Sequence, residues 1–567
     1  MSYNPLPMVN WSALHYRWLV VTAVLLFFYL ALNSLVGDSP TMDEPNHIGR
    51  GLAFIHSGNP QLSLEHPPLI NALSALPLLT MSLDIPFDSP SWTDREPAGI
   101  YWYIFASEMM WQRGNNVTQM TFLARLPIVF MLLGLALVGF HFARQLWGRR
   151  AGCVLFLLLL FDPNLLAHGR YTTTDLGGTF FMFLATYLLW RLWQRPFWDW
   201  RLWLLAALGM GLAFGSKLSI LTFVPIWLGL ALLPQSEAGW QWHLATRRVM
   251  QLLTAGLFSV GVVWLIFGLE WGDFYFSSRW LMVLNQWAGP MPTFWAGIEK
   301  ILFISSGGRP SFLLGEMSSD GFLLYFPIAF LVKTPLPTLL LLGVATAVLL
   351  SQPTHRRRAL WLLLPIVAYF AFSLTSALNI GYRHLFPMLP FIYLLISGLT
   401  NYARRTTQYA IQFGNIILFI GGFWLLLNTL TIHPHYLSFF NALGGGPSQG
   451  HTILIDSNID WGQDLLRLQQ WLADNGEAEV KLGWFGTADP HYYAIPHQPL
   501  PGFPLQPYYG LWTEPPFNPA QPEPGLYAIS VSSLWELDLP DKNVYPWFRQ
   551  REPDARIGYS IYIYDLR

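Results

Sequence analysis

Residues 19–47 read LVVTAVLLFFYLALNSLVGDSPTMDEPNH. The run to Val36 carries no charge and, with its flanks from about 17 to 37, reaches the roughly 20 residues that cross a hydrocarbon core. It is too long for the apolar region of a signal peptide. Asp38-Ser39-Pro40 stands where a small-residue cleavage site would be, so the segment reads as an uncleaved anchor. Immediately beyond it come two adjacent carboxylates, Asp43 and Glu44, and then Pro45. A membrane span leading into ionisable residues is a pattern that recurs at the outer ends of later spans.

The 567 residues are 53% hydrophobic and 11% charged, against roughly 25% charged in a soluble domain. A mean hydropathy of +0.36 excludes an ordinary soluble protein of this length. Apolar windows predict about eleven transmembrane helices, near 17–37, 121–146, 151–167, 175–193, 202–216, 218–234, 249–270, 322–350, 359–377, 385–400 and 409–431. The fold class is an α-helical polytopic membrane protein. The single cysteine, Cys153, lies in an apolar run and excludes an intramolecular disulfide framework and a Cys-based metal site.

Orientation follows from the basic residues in the connections. With the N-terminus cytoplasmic, the inner side holds Arg17, Arg144, Arg149, Arg150, Arg191, Arg195, Arg201, Arg247, Arg248, Arg356, Arg357, Arg358, Arg404 and Arg405. These are fourteen of the 32 basic residues, against only Asp199 and Glu237 of the 33 acids. An odd number of spans puts residues 432–567 outside, together with long loops at 38–120 and 271–321. Residues 67–79 and 293–305 are too short to span and apolar enough to lie in the interface.

The division expected is 1–431 for the transmembrane part and 432–567 for a small extracytoplasmic α/β domain. Strand-like runs at 451–455, 480–485, 526–531 and 559–564 surround a helical pattern at 463–472. The Pro-rich stretch 490–524 reads as a surface excursion. Asp460 and Asp464 read as helix caps, with a binding role as the alternative.

Ionisable groups at a membrane boundary need a partner or a task, and here they gather at the outer ends of the spans. Asp43 and Glu44 follow the first span, Arg125 opens the second, Arg170 and Asp175 lie between the third and fourth, and Lys217 between the fifth and sixth. Arg383 and His384 open the tenth. Taken singly each has a plain reading: Asp43-Glu44 could cap a helix, Arg170 and Asp175 could pair with one another, and His66 could be a loop histidine. Together they describe an outward polar cavity holding carboxylates and cations. Cations at headgroup depth suit a phosphate, and a carboxylate suits general-base work on a hydroxyl. That chemistry is group transfer from a lipid-linked phosphate.

The ordered motifs Met42-Asp43-Glu44-Pro45-Asn46-His47, Glu65-His66-Pro67-Pro68, Ala124-Arg125-Leu126-Pro127, Arg170-Tyr171-Thr172-Thr173-Thr174-Asp175, Ser216-Lys217-Leu218, Lys333-Thr334-Pro335 and Gly381-Tyr382-Arg383-His384 resemble the protein O-mannosyltransferases and their bacterial relatives, in glycosyltransferase superfamily C (GT-C). The resemblance runs from about residue 20 to 400. It implies a polyprenyl-phosphate-linked sugar donor, mannose or a related hexose, transferred with inversion to an extracytoplasmic hydroxyl. It makes Asp43 the catalytic base and Glu44 its companion. It gives Arg125, Arg170, Lys217 and Arg383, with His384, to the donor phosphate, and makes His66 and Asp175 supporting residues. The loop 271–321 is too short for the β-trefoil insertion of eukaryotic members. The segment Asp456-Ser457-Asn458-Ile459-Asp460-Trp461-Gly462-Gln463-Asp464 resembles only a subset of bacterial relatives.

No cofactor is called for and no dedicated metal cluster is evident; Asp43, Glu44 and His66 are the set that could take a divalent cation, Mg or Mn. Partners implied are the polyprenyl-phosphate-sugar lipid, a protein, lipid or glycan acceptor, and membrane lipid, without nucleic acid. The cell's inner, or plasma, membrane is the expected location. Two other classes stay open: a lipid-linked sugar flippase or transporter, which would want midplane polar sites and an internal repeat, and a non-catalytic subunit of a membrane assembly.

Overall fold

The computed structural model describes residues 13–94, 101–233, 241–307, 309–402, 408–505, 512–537, 539 and 541–567. Helix occupies each of the eleven apolar segments, and the chain is a multi-pass membrane protein. The segments are of two kinds. Trp18–Val36, Val117–Trp147, Trp242–Ile266, Pro353–Leu374 and Gly414–Ile432 are single helices long and apolar enough to cross a bilayer. A further crossing is bent, with Tyr325–Lys333 meeting Leu336–Ser351 at 105°. The remaining segments are shorter, interrupted or more polar.

The interruptions have local causes. Asp162 accepts the N–H groups of Asn164 and Leu165, ending one helix and starting Pro163–His168. Pro335 removes a backbone donor at the 105° bend. Pro387 and Pro390 hold Tyr382–Met388 as a 3₁₀ turn before Leu389–Ser397. Every residue of Leu389–Ser397 is buried, as it should be where irregular backbone lies at membrane depth and protein must satisfy it. The long helices instead leave Leu25, Leu253, Leu257, Phe419 and Phe423 exposed, the side chains that lipid would cover.

The first long loop is built of short helices, Glu44–Ser57, Pro68–Ala75 and Tyr101–Ser107. The 67–79 segment is helical, continuing as a 3₁₀ turn to Thr80 with Leu76 and Leu79 half exposed. Pro292–Gly307 is likewise a helix, with Leu302 and Phe303 exposed.

The C-terminal part forms a five-stranded sheet in the order His497–Pro499, Val480–Gly483, Leu526–Ser530, Ile561–Asp565, Ala555–Ile557. The first three strands run parallel and the last two are added antiparallel. Leu465, Leu468 and Leu472 of the helix Leu465–Asp474 pack on the buried residues of this sheet. Two expectations are corrected. Residues 451–455 form no strand: Gly450–Thr452 is a 3₁₀ turn, with Gly450 packed so closely on the Phe440 ring that a Cβ would overlap it. The Pro-rich stretch is not wholly an excursion, because His497–Pro499 supplies an edge strand, the position where proline is tolerated.

Candidate functional site

The helix breaks and the start of the first loop meet at one end of the bundle, and the predicted site residues meet with them in two networks. The first is closed. Arg125 donates from Nε to Glu44 Oε1 at 2.8 Å and from Nη2 to Oε2 at 2.7 Å, and the remaining guanidinium protons reach the carbonyls of Asp38 and Ser39. Glu44 also accepts the N–H groups of Thr41 and Thr172. Both side chains are sealed from solvent. This carboxylate has no lone pair left to act as a base, and this guanidinium no free edge for a phosphate. Glu44 and Arg125 thus form a fork that fixes the loop after the first span.

Arg170 also turns to the end of the first span. It pairs with Asp38 and donates to the carbonyl of Ser34 at 2.8 Å. Tyr171 donates to Asp38 at 2.6 Å, and Arg467 of the C-terminal helix reaches the other Asp38 oxygen at 2.6 Å. Burial alone would raise the Asp38 pKa, yet the guanidinium groups of Arg170 and Arg467 hold it below the usual carboxylate range. Arg170 pairs with Asp38 and Asp175 with Lys217 and Arg383, so the expected pairing of Arg170 with Asp175 is corrected. Sequence reasoning passed over Asp38, and nothing local to Arg467 marks it as a partner 429 positions away.

The second network is the candidate site. Asp43 sits at the N-cap position of Glu44–Ser57 but makes no capping hydrogen bond. Its carboxylate turns instead to Arg383, with Nη1 3.2 Å from Oδ2. The same nitrogen lies 3.6 Å from Asp175 Oδ2, and Asp175 also pairs with Lys217. Of the four side chains Asp43 is the most open, 34% exposed, against 5% for Asp175, 7% for Arg383 and 15% for Lys217. The result is a chain of alternating charge, Asp43, Arg383, Asp175, Lys217, ending on one accessible carboxylate and one partly accessible ammonium. The Arg383 guanidinium lies over the ring of Trp461, 4.1 Å from its centroid.

His66 faces this network. Its Nδ1 is 3.3 Å from Thr174 Oγ1, and its ring meets that of His47 edge-on at 4.8 Å. Burial, and then the neighbouring positive charge of Arg50, bring His47 down to about 4. Burial, with His47 and Arg50 adding to it, also pushes His66 well below its ordinary value. Both rings are therefore neutral near pH 7. The His384 ring packs near Phe326, with Nε2 buried and without a hydrogen-bond partner. Of the three residues that could take a divalent cation, Glu44 is paired with Arg125 and His66 lies beside Thr174. Among the described residues no group of three His, Cys, Asp or Glu side chains is placed to hold a metal.

Arg50 was missed. It is 4% exposed, lies over Trp102 at 5.2 Å, and has no hydrogen-bond or ion-pair partner among the described residues. The available signal was spacing: residues 43, 47 and 50 fall on one face of a helix.

Carboxylates and cations buried at the broken ends of membrane helices define a membrane protein with an internal polar site. Residues 97–267 match the family described as dolichyl-phosphate-mannose-protein mannosyltransferase. Among solved structures, ArnT from Cupriavidus metallidurans bound to undecaprenyl phosphate is similar over 96% of this chain and 97% of its own, at 13% identity and a TM-score of 0.47. The oligosaccharyltransferase AglB from Archaeoglobus fulgidus, in complex with an inhibitory peptide and a dolichol-phosphate, is similar over 74% of this chain and 56% of its own, at 11% identity and a TM-score of 0.43. No curated protein matches by sequence.

Proposed function

We propose that this protein is a GT-C glycosyltransferase that moves a hexose, mannose or a close relative, from a polyprenyl-phosphate donor to a hydroxyl on a protein, lipid or glycan acceptor, with inversion at the anomeric carbon. The observation that carries the reading is the Asp43, Arg383, Asp175, Lys217 series with Asp43 as its open end. Asp43 takes the acceptor proton, the hydroxyl oxygen forms the new bond to the anomeric carbon, and the lipid phosphate leaves with the electron pair of the broken bond. Stabilising that departing charge is the largest demand of the reaction. Lys217 and Arg383 meet it, while Asp175 holds the two cations at a common position. The matched family's description, with its dolichyl-phosphate-mannose donor, supports the donor class.

The excess of arginine at the opposite helix ends supports a cytoplasmic N-terminus and a site facing away from the cytoplasm, in the inner membrane. The test is release of polyprenyl phosphate from a polyprenyl-phosphate-mannose donor by the purified protein. Asp43→Asn is expected to lower turnover by about 10²–10⁴-fold. Undiminished turnover in that variant would remove Asp43 from the mechanism.

A further inference from the structure

The segment Asp456 to Asp464 belongs to the C-terminal part by sequence, yet its contacts are with the site. Ser457 Oγ donates to the carbonyl of Ile380 at 2.6 Å. Asn458 accepts the N–H of Tyr382 at 2.9 Å, donates to Tyr325 Oη at 3.0 Å, and offers its carbonyl to Lys333 Nζ at 2.7 Å. The carbonyl of Trp461 accepts the N–H of Met42 at 2.8 Å, and that of Gln463 the N–H of Ser39 at 2.9 Å. One short loop thus joins three pieces of the bundle: the residues just before Asp43, the 105° bend at Lys333, and the turn that carries Arg383.

The loop is held from its far side as well. Asp460 accepts the N–H of Ser532 at 2.8 Å, and Ser560 Oγ donates to Asp464 at 2.6 Å. Gly462 has φ +80° and lies against the backbone of Gly486, where a Cβ would come within 3.1 Å of Gly486 Cα. In the middle stands Trp461, 1% exposed, its ring beneath Arg383 and 5.6 Å from that of His168. Arg383 Nε is buried without a hydrogen-bond partner. Among the described residues the guanidinium pairs with the carboxylates of Asp43 and Asp175, has Asp456 as a further negative neighbour, and lies against the face of this indole.

We propose that Trp461 is a positioning residue for the transfer reaction, and that the C-terminal part supplies through it one wall of the catalytic site. The carboxylates attract Arg383 but do not fix its plane. The indole face does, holding Nη1 between Asp43 and Asp175 and leaving the guanidinium edge in a set orientation when a phosphate arrives. This rests on the transferase reading above. The residue touches no reacting atom, so its effect falls on turnover through Arg383.

The experiment is a series at position 461, with Phe, Met and Leu, each assayed for polyprenyl phosphate release alongside its melting temperature in detergent. Trp461→Phe keeps a weaker ring face and is expected within about threefold of wild type. Trp461→Met and Trp461→Leu are expected to lose about 10- to 30-fold in kcat, the scale of a desolvated cation–π contact, with little change in the acceptor KM. Turnover that follows melting temperature instead of ring character overturns the proposal, as does Trp461→Met at the wild-type rate. A wild type that releases no polyprenyl phosphate sinks the transferase reading instead. A double-mutant stability cycle between Trp461→Leu and Arg383→Met then decides the contact: a coupling supports it, and additive losses overturn it.

Discussion

Arg383 and Asp43 stand 340 positions apart in the chain and are joined by a 3.2 Å contact between Nη1 and Oδ2, with Asp175 3.6 Å from the same nitrogen. The guanidinium therefore sets the distance between the open carboxylate and the Asp175–Lys217 pair. A lysine would bring a point charge on a flexible stem and could not lie flat on Trp461 while serving both acids. Arg383→Lys is expected to lower kcat about 10²-fold or more, the loss typical of one preorganised charge-stabilising group. Steady-state release of polyprenyl phosphate measures it, and a lysine variant within a few-fold of wild type would contradict the bridging role.

Glu44 differs from its neighbour in kind. With both oxygens on Arg125, it is expected to act on stability: Glu44→Gln leaves a buried guanidinium without its counter-charge, a change that costs about 3–5 kcal/mol. A large fall in melting temperature and in yield is expected. Intact stability with lost turnover would return Glu44 to the chemistry.

The sequence marks Asp43, Lys217 and Arg383 as readily as Glu44, Arg125 and Arg170, but it does not say which of them pair, and this has a physical reason. Charge at the end of a span is visible as a violation of hydropathy, and each of these residues is one. Which charges neutralise one another depends on side-chain reach across segments distant in the chain, as with Arg170 and Asp38 or Arg467 and Asp38. The helices are legible for the same reason, since a run of apolar residues is a local property. Their breaks at Asp162-Pro163 and Lys333-Thr334-Pro335 lie inside apolar runs, and window averages pass over them. The 451–455 run failed as a strand because Leu454 and Ile455 are buried among the bundle-side residues instead of in a ladder.

Asp460 makes the C-terminal part sensitive to pH. Burial pushes its carboxyl up to about 8, with the Ser532 and Gly462 N–H groups only partly opposing this. The folded protein thus holds a proton that an unfolded aspartate, near 3.8, has released. The native state binds more protons than the unfolded one between these values, so the contribution to stability is complete below about 4 and is lost as pH rises through 8. Asp460→Asn keeps an acceptor for Ser532 and carries no titratable proton. Melting curves from pH 5 to 9 are expected to fall less with pH in this variant than in wild type; parallel curves would refute the assignment.

Arg50 has the opposite balance from Arg125: a guanidinium 4% exposed with no counter-charge among the described residues. Its Nε, Trp102 Nε1 and Asn71 Nδ2 are all buried donors without an acceptor, and His47 between Arg50 and Asp43 stays neutral at pH 7. A buried cation among unused donors costs the folded protein free energy. It becomes favourable when an anion arrives. Replacing it with a neutral side chain of similar length should therefore relieve the resting protein and penalise the bound state. Arg50→Met is expected to melt at or above the wild-type temperature while raising the KM for the anionic lipid donor about tenfold or more, the scale of a lost hydrogen bond to a charged group. Donor KM measured with the melting temperature separates the cases, because an arginine held for the fold would lower the melting temperature when removed and leave the donor KM in place.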